Sequence, residues 1–157
     1  VDAAGLPHRV VNAGVSGETS AGALRRMEWL LRQPVAVLVV ETGANDMLRG
    51  QDADSTRANV DAILARARQQ RPPPKLVVLG MRAAPNLGAA YGTKFAAIYP
   101  DLARKYDAAL VPFLLEGVAG IPRLNQGDGV HPTVEGQRIV SEIVWKTLEP
   151  VLRSSSR

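Results

Sequence analysis

Short valine-rich runs alternate along the chain with longer stretches whose apolar residues recur every three or four positions. The runs are Val10-Val11, Val35 to Val40, Leu76-Val77-Val78-Leu79 and Ala109-Leu110-Val111. The second is apolar throughout, the pattern of a parallel strand covered on both faces. Pro72-Pro73-Pro74 announces the third, and Pro112 places the fourth at a sheet edge or ends it there. Between the runs, Leu24, Met27, Leu30 and Leu31 form one helical stripe behind the caps Thr19 and Ser20. Val60, Ile63, Leu64 and Ala67 form a second, followed by Arg66, Arg68 and Arg71, which suit a helix carboxyl end. Phe95, Ile98, Leu102 and Tyr106 form a third, in which Pro100 predicts a kink or a new start. Val140, Ile143, Val144 and Leu148 form the last, which is expected to end at Pro150. The alternation predicts an α/β domain with a parallel sheet and right-handed crossovers. A single domain over 1–150 is expected, with 151–157 a flexible tail and Ser154 to Arg157 frayed.

Composition narrows the function classes. A chain of 157 residues with 46% hydrophobic and 22% charged positions is one globular domain and not a disordered segment. No apolar run approaches the ~20 residues of a bilayer span, so no transmembrane segment is expected. The 19 Lys+Arg against 15 Asp+Glu give a net charge of +4, scattered with no dense basic run, and aromatics are few. Neither feature suits a nucleic-acid partner. Cysteine is absent, which excludes disulfides, thiolate metal sites and Cys nucleophiles. Two histidines without cysteine leave too few nitrogen or sulfur ligands, so no metal site is expected. Val1 to Gly5 has neither the basic start nor the apolar stretch of a leader, though a processed or truncated terminus looks the same.

In a parallel α/β sheet the working residues sit on loops at the carboxyl ends of the strands, and three such loops carry chemistry. Asn12 to Ser20 is glycine-bearing and exposes backbone N–H groups suited to developing negative charge; an ordinary βα turn would look similar. Glu41-Thr42-Gly43-Ala44-Asn45-Asp46 follows the run expected to be the most buried strand. There Asn45 offers a neutral donor to an oxyanion, or merely shapes a turn with Asp46. Asp46 also invites comparison with the phosphoacceptor of a receiver domain, although those domains need an acidic cluster and a lysine, and Arg82 stands where the lysine is wanted. Gly127-Asp128-Gly129-Val130-His131-Pro132 precedes the final helix. Its Asp and His, three apart, suit a carboxylate that accepts Nδ1–H and leaves Nε2 to take a proton. His8, between Pro7 and Arg9, reads as structural. The nucleophile is missing: of the serines, only Ser16 and Ser20 lie on a candidate loop, and neither sits in a G-x-S-x-G elbow.

Asn12 to Ser20, Gly43-Ala44-Asn45-Asp46 and Asp128-Gly129-Val130-His131-Pro132, in that order, resemble blocks of the SGNH (GDSL-type) hydrolases, in the bacterial arylesterase/thioesterase I/lysophospholipase branch. Leu48-Arg49-Gly50 and Ile98-Tyr99-Pro100 extend the match over essentially the whole chain. The resemblance implies a flavodoxin-like three-layer α/β/α sandwich and ester hydrolysis by a Ser-His-Asp mechanism without a cofactor. The substrate would be a small acyl ester, with thioester or lysophospholipid cleavage as variants, in the periplasm or outside the cell. It implies His131 as base, Asp128 as its partner, and Gly17 and Asn45 as oxyanion donors. Arg82, Pro85 and Leu87, on the segment Met81 to Tyr91, would line the acyl pocket. The family's first block, a strand ending in Gly-Asp-Ser, has no counterpart here. A strand, its elbow and a helix, about 25–30 residues by the size of a βα unit, are expected to belong to a missing amino-terminal segment. That strand lies beside those beginning near Val10 and Val35 in family members. Two alternatives stand beside this expectation: a non-catalytic relative that binds an acyl or carbohydrate ligand, and Ser16 as a replacement nucleophile.

Overall fold

The computed structural model describes residues 1–155. Three strands form one parallel sheet in the order β1 (Val37–Val40), β2 (Lys75–Leu79), β3 (Ala109–Val111). Val37 pairs with Lys75 and Val40 with Val78; Val77 pairs with Ala109 and Leu79 with Val111. The helices are α1 (Ser20–Leu30), α2 (Ala44–Leu48), α3 (Ala53–Arg68), α4 (Ala89–Lys105) and α5 (Val134–Ser155). Alternate strand residues point to opposite faces, and the two faces have different covers. Val40, Leu76 and Val78 meet Met27 of α1, Val60, Ile63 and Leu64 of α3, and Phe95, Ile98 and Leu102 of α4. Val77, Leu79 and Val111 meet Ile143, Val144 and Leu148 of α5. The result is the expected three-layer sandwich.

The helical stripes locate the core well, and the caps define where helices begin. Thr19 Oγ1 accepts from Gly22 N, and Asp52 Oδ2 accepts from Ser55 N at 3.0 Å, each satisfying an amide that a first turn leaves unpaired. Proline is the poorer guide. Pro100 lies inside an uninterrupted α4, although an internal proline costs about 3 kcal/mol. Burial of Phe95, Ile98, Tyr99, Leu102 and Ala103 on one face offsets that cost. Likewise α5 passes Pro150 and continues to Ser155, with Leu152 buried, so 151–155 are helical. Ser156 and Arg157, the end of the expected tail, lie outside the described residues.

Val10-Val11 forms no strand: the two side chains are 72% and 69% exposed. β-branched residues favour a strand only where a neighbour supplies a ladder, and β1, at the sheet edge, is not paired with this segment. Val39 of β1 is also exposed, on the sheet face that α5 covers elsewhere, so the most buried strand is the central β2 and not β1 as expected.

Candidate active site

Because the strands are parallel, their carboxyl ends share one edge of the sheet. Asp46, a few residues beyond β1, accepts from Ser20 N at 2.7 Å, which brings the start of α1 and the Asn12–Ser20 loop to that edge. Lys75, which opens β2 at the opposite edge, donates to Ser154 Oγ at 2.6 Å. The far end of α5 is thus anchored at the amino ends of the strands. Its first turn, with the Gly127–Pro132 loop just before it, therefore lies at the carboxyl ends. All three chemistry-bearing loops face the same side of the sheet.

The Asp128 loop is built by its own carboxylate. Oδ1 accepts from the backbone N–H groups of Val130 and His131, both at 2.9 Å. Oδ2 faces His131 Nδ1 at 2.7 Å. These hydrogen bonds favour the charged form and hold the Asp128 carboxyl at about 2, below its ordinary 3.8, with the His131 amide the largest contributor. Gly129, at φ +70°, supplies the left-handed residue that this turn requires. Gln126 N donates to the His131 carbonyl at 2.7 Å and Thr133 N to the Leu124 carbonyl at 2.8 Å, tying the loop to the buried Leu124. Behind it, a Cβ on Gly136 would stand 2.3 Å from the Leu124 carbonyl oxygen, so α5 packs backbone to backbone against this turn. With Nδ1 against Asp128, Nε2 of the exposed His131 has no protein partner among the described residues and can exchange a proton with a ligand.

The second half of the site is organised by the short helix α2. Its N-cap is Gly43 at φ +104°, where a Cβ would come within 2.6 Å of Tyr99 Oη. Tyr99 donates to the Thr42 carbonyl at 3.0 Å; burial above all, aided by the charges of Glu41 and Asp46, pushes its phenol upward, so it stays a neutral donor. Asn45, half-buried in the first turn, has a side-chain amide with no partner among the described residues. The Gly17 N–H is equally free there, at φ +73°. Arg49 Nη2 donates to the Gly17 carbonyl at 2.7 Å, and Arg49 caps the carboxyl end of α2 four residues after Asn45. Two unspent donors are thus carried by elements joined to each other. No hydrogen bond or ion pair among the described residues links them directly to the His131 loop.

The remaining residues singled out in the sequence have assorted surroundings. Arg82 is exposed, 3.3 Å from Glu116 Oε2 and 4.5 Å over the Phe113 ring. Pro85 and Leu87 form a single 3-10 turn, with Leu87 packed against the α3–α4 core. Ser16 is exposed. His8 lies elsewhere, its Nε2 3.1 Å from Ser155 Oγ. Asp46 is 1% exposed, with its carboxylate engaged by Ser20 and, at 3.4 Å, by Thr56 Oγ1; it is enclosed where a phosphoacceptor must be reachable. The supports Tyr99, Ser20 and Thr56 were not evident as such in the sequence. Tyr99 falls four residues after Phe95, so its burial was legible, whereas the carbonyl that its hydroxyl serves was not.

Comparison with known proteins is consistent across sequence and structure. Residues 2–139 match the model of the GDSL-like Lipase/Acylhydrolase family. The chain is 41% identical over 149 residues to Esterase TesA of Pseudomonas aeruginosa, covering 94% of this chain and 73% of that protein. It is 38% identical to Thioesterase 1/protease 1/lysophospholipase L1 of Escherichia coli strain K12, covering 94% and 70%. The crystal structure of TesA superposes with a TM-score of 0.89 at 40% identity, covering 96% of this chain and 83% of that one.

Proposed function

Because the chain belongs to the GDSL-like lipase/acylhydrolase family, whose named relatives here are esterases and thioesterases, we propose a residue-level mechanism for its ester hydrolysis. The intact protein is a serine ester hydrolase. His131 Nε2 takes the proton of a serine hydroxyl as that oxygen attacks the ester carbonyl. Asp128 holds the ring in the tautomer that leaves Nε2 unprotonated, and it balances the imidazolium that forms. The Gly17 N–H and the Asn45 side-chain amide donate to the oxyanion. Imidazolium then protonates the leaving alcohol, and water attacks the acyl-serine with His131 again as base. The observation that carries this reading is the Asp128–His131 pair at 2.7 Å with Nε2 unspent, at the sheet edge that also bears two free donors.

No Gly-Asp-Ser occurs in residues 1–157, so the reading assigns the serine to chain preceding Val1. The unpaired Val10-Val11 segment and exposed Val39 are what a strand and helix from that segment would cover. Arg82, Pro85 and Leu87 are proposed to line the acyl pocket, and thioesters and lysophospholipids are proposed as further substrates. Residues 1–150 are proposed as the hydrolase domain. The resemblance alone supports work in the periplasm or outside the cell; no helix among the described residues is long and apolar enough to cross a membrane.

A fluorophosphonate probe tests the assignment. On the intact enzyme it should label one serine in a peptide upstream of Val1, and Asn45→Ala should slow p-nitrophenyl butyrate turnover by about 10²–10³-fold. Labelling at Ser16, or none at all, would favour the replacement nucleophile or the ligand-binding relative respectively.

A further inference from the structure

Among the described residues the Arg49 guanidinium makes no ion pair; its one hydrogen bond goes to the carbonyl of Gly17, 32 positions earlier. Three residues further along the same loop, Ser20 is gripped by the same helix. Asp46 Oδ2 accepts its N–H at 2.7 Å, Oδ1 accepts its hydroxyl at 2.5 Å, and Asn59 Nδ2 donates to Ser20 Oγ at 3.0 Å. A five-residue helix and the residue that caps its carboxyl end thus hold both ends of the Gly17–Ser20 loop, through exposed Arg49 on one side and the buried Asp46 carboxylate on the other. Loops otherwise move freely, and an oxyanion hole works only when its donors are already in place. Gly17 contributes from a loop and Asn45 from α2, so their spacing is only as fixed as the link between those elements.

We infer that Arg49 and Asp46 are positioning residues, which clamp the Gly17 loop to α2 so that the Gly17 N–H and the Asn45 amide converge on one oxyanion. The inference rests on the mechanism proposed above. Neither residue touches substrate. Arg49 fixes the Gly17–Glu18 peptide through its carbonyl, and Asp46 fixes the start of α1. Asp46 is buried with its partners, so replacing it endangers folding; Arg49 is exposed and gives the cleaner test.

In the intact enzyme, Arg49→Met keeps the aliphatic stem and removes the guanidinium. It should lower kcat for p-nitrophenyl butyrate by about 10–100-fold, the range for a misplaced catalytic group. KM should stay within about twofold and the melting temperature should be unchanged, as for other exposed sites. Arg49→Lys should restore part of the loss. In an Asn45→Ala background, Arg49→Met should cost several-fold less than it does in the parent, because only the Gly17 N–H is then left to misplace. Full multiplication of the two losses, or a kcat for Arg49→Met within about threefold of the parent, overturns the clamp while leaving His131 and Asn45 in their roles. Undiminished activity of Asn45→Ala alone overturns the oxyanion assignment, and the clamp with it.

Discussion

Replacing Asp128 by asparagine separates the two things its carboxylate does. Oδ1 holds the turn through two backbone amides at 2.9 Å, and Oδ2 orients the imidazole at 2.7 Å. An amide group has only one acceptor oxygen. If that oxygen stays with the Val130 and His131 amides, two hydrogen bonds survive and the NH₂ group faces Nδ1. The ring must then accept at Nδ1 and carry its proton on Nε2, the tautomer that cannot act as base. The opposite orientation keeps one bond to the ring and turns the NH₂ onto two N–H donors. Two bonds against one, with donor–donor repulsion added, select the first orientation. The fold and the loop therefore survive in Asp128→Asn while the base is disabled. A buried aspartate lost in this way costs about 10⁴-fold in kcat. Here the two side chains are 46% and 68% exposed, so solvent screening trims the electrostatic share and we expect about 10²–10³-fold. The assay is p-nitrophenyl butyrate hydrolysis by the intact enzyme at pH 7, with circular dichroism as the check on folding. A kcat within about threefold of the parent would refute the reasoning, because tautomer control would then be irrelevant to turnover.

Two further predictions concern the scaffold of the same loop. Gly136→Ala places a methyl 2.3 Å from the Leu124 carbonyl oxygen and 2.9 Å from Pro132 Cβ; urea unfolding should show a loss of about 1–3 kcal/mol, the cost of overpacking, and an unchanged midpoint would contradict the close approach. Asp128 has a carboxyl held at about 2 against an ordinary 3.8, so its contribution to stability is fully present above pH 3.8 and disappears as pH falls through about 2. A carboxyl ¹³C titration should show the charge persisting below pH 3.8, and a midpoint at or above that value would show that the loop bonds do not form in solution.

Much of this fold was legible because burial imposes a period. The α3 stripe Val60, Ile63, Leu64 and Ala67 is buried at every position; β1 and β3 fall inside the valine-rich runs, and β2 starts one residue before its run. The Asp128–His131 pair was legible for a different reason: three residues of separation in a glycine-bearing turn make contact a local matter. Proline at 150 misled, and Pro100 starts no new helix, because a local helix penalty was weighed without the tertiary burial that outweighs it.

Residue types and spacing along the chain were sufficient to determine the α/β alternation, the capped start of α1 and the local acid–imidazole pair, since each depends on neighbours within one turn or one strand. Tertiary structure alone decided that Val10-Val11 stays unpaired, that Asp46 is enclosed rather than reactive, and that Arg49 and Tyr99 brace the loops around Asn45. These outcomes depend on partners between 26 and 57 positions away for Asp46, Arg49 and Tyr99. Such partners are chosen by the packing of whole layers, a physical constraint that no local pattern of residues encodes.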